Sequence, residues 1–157
     1  IYIPRNSNTE KICEEIAKVW GRHQGAVHCY GDATGGAKGT AKVKGSDWAL
    51  VKNGLAPTFG GRLSFRVKKS NPKERERVNA VNSRFLNCNR QVRCLLDKHK
   101  TPHLQEDYSG VMCTSDGSGA IDKESAPNLT HISDAHGYYI EHQYPVGLKP
   151  VTRIGEA

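Results

Sequence analysis

Ala26-Val-His-Cys-Tyr-Gly-Asp-Ala-Thr-Gly35 changes character in its middle. Ala26–Tyr30 is a short, largely apolar run and reads as a strand. Gly31-Asp32 ends it, and a Gly-, Lys- and Thr-rich loop follows from Ala33 to Gly45. Working outward, Thr9 is placed to cap a helix running to about Trp20, with Ile12, Ile16, Val19 and Trp20 at helical spacing. Downstream, Ser46 is placed to cap a short helix to about Asn53, with Gly54 as its stop. Arg62–Val67 alternates and reads as a second strand.

The alternation continues. Ser70-Asn71-Pro72 is a helix start. That helix runs to about Leu86, with Val78, Val81 and Phe85 as its apolar stripe. Gln91–Leu96 reads as another strand and Pro102–Tyr108 as a short helix. Asp116–Gly119 reads as a turn, and Thr130 as the cap of a last helix from about Ile132 to His142. Pro145–Ala157 reads as a tail. Strands and helices joined by short links imply an α/β domain with a central sheet. In such sheets, sites gather at strand ends and the neighbouring helix N-termini.

The 157 residues suit one domain with one core, and 36% hydrophobic with 25% charged residues is an ordinary globular composition. No apolar run is long enough to span a bilayer, and no secretory signal is visible. The first residue is Ile1 rather than Met, which suggests a fragment of a longer chain. The formal net charge is +7. Lys38, Lys42, Lys44, Arg66, Lys68, Lys69, Lys73, Arg75, Arg77, Arg90, Arg93, Lys98 and Lys100 cluster along the chain. A polyanion is a natural partner for such a domain, and a well-solvated surface is the plainer account. The five cysteines, Cys13, Cys29, Cys88, Cys94 and Cys113, are odd in number and irregular in spacing. This favours reduced, buried thiols in a cytoplasmic setting over a disulfide framework.

Three carboxylates stand out by position. Asp32 ends the first strand, Glu76 lies in the first turns of the middle helix, and Asp134 in the first turn of the last. Clustered carboxylates repel one another unless a cation sits between them, and their hard oxygens suit Mg²⁺ or Mn²⁺. An acid at a helix N-terminus is also an ordinary cap or dipole partner. Glu74 falls closer to the Val78–Val81 stripe than Glu76 does, and Asp97 closes the Gln91–Leu96 strand, so both compete for the second position.

Three strings carry a family resemblance. Tyr30-Gly-Asp-Ala-Thr-Gly35 with Gly45-Ser-Asp-Trp48 resembles the first catalytic strand and next helix of the nuclease domain of phage large terminase subunits. Ser70-Asn-Pro-Lys-Glu-Arg-Glu-Arg-Val-Asn-Ala-Val-Asn82 resembles that family's Asn-Pro block, and Thr130-His-Ile-Ser-Asp-Ala-His-Gly-Tyr-Tyr139 resembles its ending. The resemblance covers about residues 26 to 142 in order. It implies an RNase H-like mixed central sheet flanked by helices, and a metal-dependent endonuclease cutting concatemeric double-stranded viral DNA during packaging. By the same resemblance, Asp32, Glu76 and Asp134 hold two Mg²⁺ or Mn²⁺ ions. Glu76 stands where Asp is common in the family. The implied setting is the host cytoplasm, with an N-terminal packaging ATPase, the small terminase subunit and the portal as partners, and no membrane.

The remaining signals are weaker. Lys38, Lys42, Lys44, Lys68, Lys69, Arg75 and Arg77 are candidate DNA contacts, and Lys123 and His131 candidate phosphate-contacting or supporting groups beside Asp134. Gly36-Ala37-Lys38-Gly39-Thr40 breaks the Gly-Lys-Ser/Thr succession a Walker loop needs. Cys88, Cys94, His99 and His103 have the wrong spacing for a usual structural zinc site. Asp47-Trp48 and Tyr138-Tyr139 read as packing. A resolvase- or transposase-like RNase H enzyme shares the carboxylates, and a non-catalytic basic module would use them only as caps.

Overall fold

A computed structural model describes residues 8–36, 46–116, 120–125 and 129–146. Among them are five α-helices and one two-stranded parallel sheet. The architecture is mixed α/β, and this sheet is smaller than the RNase H-like central sheet expected. The chain divides into two compact units, Ile1–Asn71 and Pro72–Ala157.

In the first unit, α1 (Thr9–Trp20) precedes β1 (Val27–Cys29), a 3₁₀ turn (Ala33–Gly36), α2 (Asp47–Phe59) and β2 (Leu63–Phe65). Asn8, not Thr9, caps α1: its Oδ1 accepts from the Lys11 amide at 2.8 Å. The far end of the expected apolar stripe is solvated, since Val19 and Trp20 are both exposed. Ser46 caps α2, its Oγ accepting from the Ala49 amide at 3.2 Å. The helix runs past Gly54, because that glycine is a packing site rather than a stop. A Cβ there would lie 2.8 Å from the Cys13 Cβ of α1. Termination falls instead at Gly60, whose φ of 53° is the left-handed conformation glycine adopts freely. β1 and β2 pair in parallel, Val27 with Leu63, His28 with Ser64 and Cys29 with Phe65. A parallel pair needs a long crossover, which α2 supplies. Cys13, Leu55 and Phe59 form the core here, packed by Ile16, Val27, Cys29, Val51 and Leu63.

The second unit holds α3 (Glu74–Phe85), α4 (Pro102–Gly110) and α5 (His131–Gln143). α3 and α4 both pack on α5. Ala80, Val81 and Ile140 are its core, closed by Phe85 and Tyr108, whose rings meet edge to face at 5.1 Å. The expected strand Gln91–Leu96 is irregular. The Asn87 Oδ1 takes the Asn89 and Gln91 amides at 3.0 and 2.9 Å, and Arg90 turns the chain with φ 59°. These local bonds bend the backbone before it can join a ladder, and Leu95 is left 87% exposed. Thr130 stands at the start of α5 but makes no side-chain cap bond. Buried Asp107 of α4 caps it instead, its Oδ2 accepting from the Ile132 and Ser133 amides at 3.0 and 2.8 Å. A full carboxylate beside the helix dipole displaces the weaker hydroxyl.

All five cysteines are free, but only Cys13 is buried; Cys88 and Cys113 are exposed. The expectation of buried thiols therefore holds for one of them. No helix among the described residues is long and apolar enough to cross a membrane.

Candidate functional site

Asp32 follows β1 and opens the 3₁₀ turn. Among the described residues, its Oδ1 accepts from the Thr34 amide at 2.6 Å, the Thr34 hydroxyl at 2.7 Å and the Asn71 Nδ2 at 2.8 Å. Asn71 also accepts the Ala33 amide at 2.8 Å, so one side-chain amide fixes both the loop and the carboxylate. Behind them, the Trp48 indole donates to the Asp32 carbonyl at 2.8 Å and meets Phe65 edge to face. The glycines of the loop serve this packing: a Cβ at Gly31 or Gly35 would come within 2.7 or 2.8 Å of the Trp48 ring. Trp48 thus has the structural role expected of it. In the sequence Asn71 reads only as part of a helix start, because its partners Asp32 and Ala33 lie far upstream.

The second unit gathers charge at the first turns of α3 and α5. Arg77 Nη2 lies 2.6 Å from Asp134 Oδ1. Lys123 Nζ lies 3.0 Å from Glu74 Oε2 and 3.3 Å from Asp134 Oδ2. Glu74 Oε1 accepts the Ile121 amide at 2.7 Å. Burial raises the Glu74 pKa, but the Ile121 amide, Lys123 and Arg77 outweigh it and hold the carboxyl below its ordinary range. The hydrogen bond to Glu74 and the field of Asp134 raise Lys123 in turn, against partial burial. Glu74 therefore joins Asp134, while Glu76 faces solvent. The facing of the Val78–Val81 stripe points to Glu74, whereas the offset within the family block points to Glu76, the position preferred from the sequence.

Arg77 corrects an expectation. Its side chain is only 6% exposed and ion-paired, so it is not available to grip a DNA phosphate. Lys68, Lys69 and Arg75 are exposed, whereas Lys38, Lys42 and Lys44 lie outside the described residues. His131 is exposed at the start of α5. Asp97 is a turn residue: its Oδ1 accepts the His99 and Lys100 amides at 2.9 and 3.2 Å. Asp122 does the same for Glu124 and Ser125.

Beside Asp134 opens a cavity of about 220 Å³, mostly apolar, with Val78, Val81, Tyr108 and Val111 among its walls. Among the described residues no group of three or more His, Cys, Asp or Glu side chains converges as a metal site. The Glu74–Asp134 pair offers hard oxygens around one bound ammonium. Mg²⁺ is commonly held by one or two carboxylates plus water and substrate phosphate, so the pair matches such an ion once Lys123 is displaced from Glu74 Oε2 and Asp134 Oδ2. No family model, curated protein or solved structure matches the chain.

Proposed function

We propose that this chain is a divalent-metal-dependent DNA endonuclease of the RNase H-like type, the nuclease domain of a viral large terminase. The observation that supports this most is the shared cation: Glu74 and Asp134, from different helices, hold one lysine ammonium between their carboxylates. The ordered resemblance from residue 26 to 142 and the +7 net charge support it further. The domain's substrate is concatemeric double-stranded DNA in the host cytoplasm. Its partners are a packaging ATPase domain, the small terminase subunit and the portal.

By the resemblance, Asp32 in the first unit and Asp134 in the second would each be a ligand for Mg²⁺ or Mn²⁺; within the second unit Glu74 is favoured over Glu76 because it lies beside Asp134. The bound ions supply Lewis-acid activation of water and charge stabilisation at the leaving oxygen. The chain's own groups prepare for this. Asn71 and Thr34 fix Asp32 in one rotamer, and Arg77 fixes Asp134. Lys123 neutralises the carboxylate pair; displaced from it, the ammonium is free to turn toward the substrate phosphate. Lys68, Lys69 and Arg75 offer sequence-independent phosphate contacts.

The test is digestion of supercoiled plasmid with Mn²⁺, Mg²⁺ or EDTA, alongside Asp32→Ala and Asp134→Ala. Metal-dependent nicking and linearisation, lost in both variants, is the expected result. Equal behaviour of folded wild type and variants in every metal would overturn the reading in favour of a non-catalytic binding module.

A further inference from the structure

We infer that Arg77 is a positioning residue for the Asp134 carboxylate, a role that rests on the nuclease reading above. Arginine is almost never buried without a partner. Here α5 builds a seat for it from one helical face. Asp134 takes the guanidinium at 2.6 Å. Gly137, one turn on, gives room for the shaft: a Cβ there would lie 2.9 Å from Arg77 Cγ and 3.0 Å from Cδ. Tyr138 lies under the guanidinium, 4.5 Å from ring centroid to Cζ. These positions, i, i+3 and i+4, share one side of a helix.

The seat takes a flat guanidinium, with Nη2 on Asp134 and Cζ over the Tyr138 ring. A lysine carries the same charge but does not stack flat or hold its donor in a fixed plane. The consequence falls on Asp134. With Oδ1 bound to Arg77, the carboxylate cannot turn freely, and Oδ2 is presented to the side where Lys123 sits. A metal ion that displaces Lys123 there meets an oxygen already in place and loses less freedom on binding.

Charge and geometry oppose each other, which decides the choice of variants. Deleting the Arg77 charge would favour any cation at Asp134, masking a loss of positioning. Arg77→Lys keeps the charge and removes the flat guanidinium. Gly137→Ala keeps the arginine and displaces its flexible shaft. Mn²⁺ affinity of wild type, R77K, G137A and D134N is measured by titration calorimetry in the absence of DNA.

D134N should lose the Mn²⁺ site. R77K and G137A, folded by circular dichroism, should each bind Mn²⁺ about 10- to 100-fold more weakly, the usual effect of losing a group that orients a metal ligand. If both bind as wild type does while D134N does not, Arg77 only holds the helices together and the inference falls, leaving the metal reading intact. If wild type and D134N bind Mn²⁺ alike, Asp134 is no ligand, and the metal reading falls together with the inference.

Discussion

Arg77 on α3 and Asp134 on α5 form an ion pair 2.6 Å long across the core of the second unit. The arginine side chain is 6% exposed and the aspartate 23%. Removing one partner of such a pair leaves an uncompensated charge, whereas replacing both by apolar groups of similar volume is often tolerated. Arg77→Met should therefore destabilise by about 3 kcal/mol, the low end of the range because Asp134 still touches water. Arg77→Met with Asp134→Leu should recover most of it. Urea denaturation of the three proteins decides; a double variant as unstable as the single one would show that packing around the pair, not its charge, is what counts.

The second acid can be chosen directly. Glu74 faces Lys123 and lies beside Asp134, while Glu76 points to solvent. Glu74→Gln should weaken Mn²⁺ binding about tenfold or more, in line with groups that hold or orient a metal. Glu76→Gln should weaken it less. The reverse order in calorimetry would return the role to the position that the family resemblance selects.

The same cluster sets a pH dependence. The Glu74 carboxyl is held below its ordinary value in the folded chain, so its contribution to stability is present above that value and fades as pH falls through the lowered one. Lys123 is raised, so its contribution is full below the ordinary lysine value and fades as pH rises through the higher one. Between pH 7 and pH 3, wild type should lose more stability than Glu74→Gln does. Identical pH profiles in chemical denaturation would remove Glu74 from the account.

Helix positions were legible in the sequence because their signals are local. Ser46 caps α2 as its hydroxyl and spacing suggest. The middle helix ends near Leu86 as expected but starts at Glu74 rather than at Ser70-Asn71-Pro72, and the last helix runs His131–Gln143, close to the expected Ile132–His142. What was not legible depends on partners distant in sequence. Asp107 outcompetes Thr130 for α5 from another helix. Asn71 reaches back to Asp32 from far downstream. Arg77 looked like one more surface cation in a basic run, since nothing local says that Gly137 leaves room for it. The Gln91–Leu96 alternation misled because Asn87 satisfies the backbone there with its own side chain.

Thiol chemistry separates the cysteines. Cys88 and Cys113 are exposed, while Cys13 is buried and its thiol is pushed up by that burial. Burial and the neighbouring Cys13 raise Cys29 as well. Thiolate is the reactive form, so Ellman's reagent at pH 8 should modify Cys88 and Cys113 quickly. Cys13 should wait for denaturant. Mass mapping that found Cys13 labelled as fast as Cys88 would mean that the α1–α2 core opens readily.

The loop after β1 offers the last test. Gly35 lies against Trp48, and a Cβ there would fall 2.8 Å from the indole Nε1, the atom that donates to the Asp32 carbonyl. Gly35→Ala must move either the ring or the loop, and overpacking of this kind costs about 1–3 kcal/mol. Displacing the ring loosens the bond that anchors Asp32, so on the proposed reading of Asp32 as a metal ligand the substitution should also weaken Mn²⁺ binding. Trp20, the other tryptophan, is exposed, so in a Trp20→Phe background the emission reports on Trp48 alone. A red shift in Gly35→Ala together with weaker Mn²⁺ binding would tie the ring to the carboxylate. A red shift with unchanged binding would confine Trp48 to stability and leave Asn71 and Thr34 as the groups that hold Asp32.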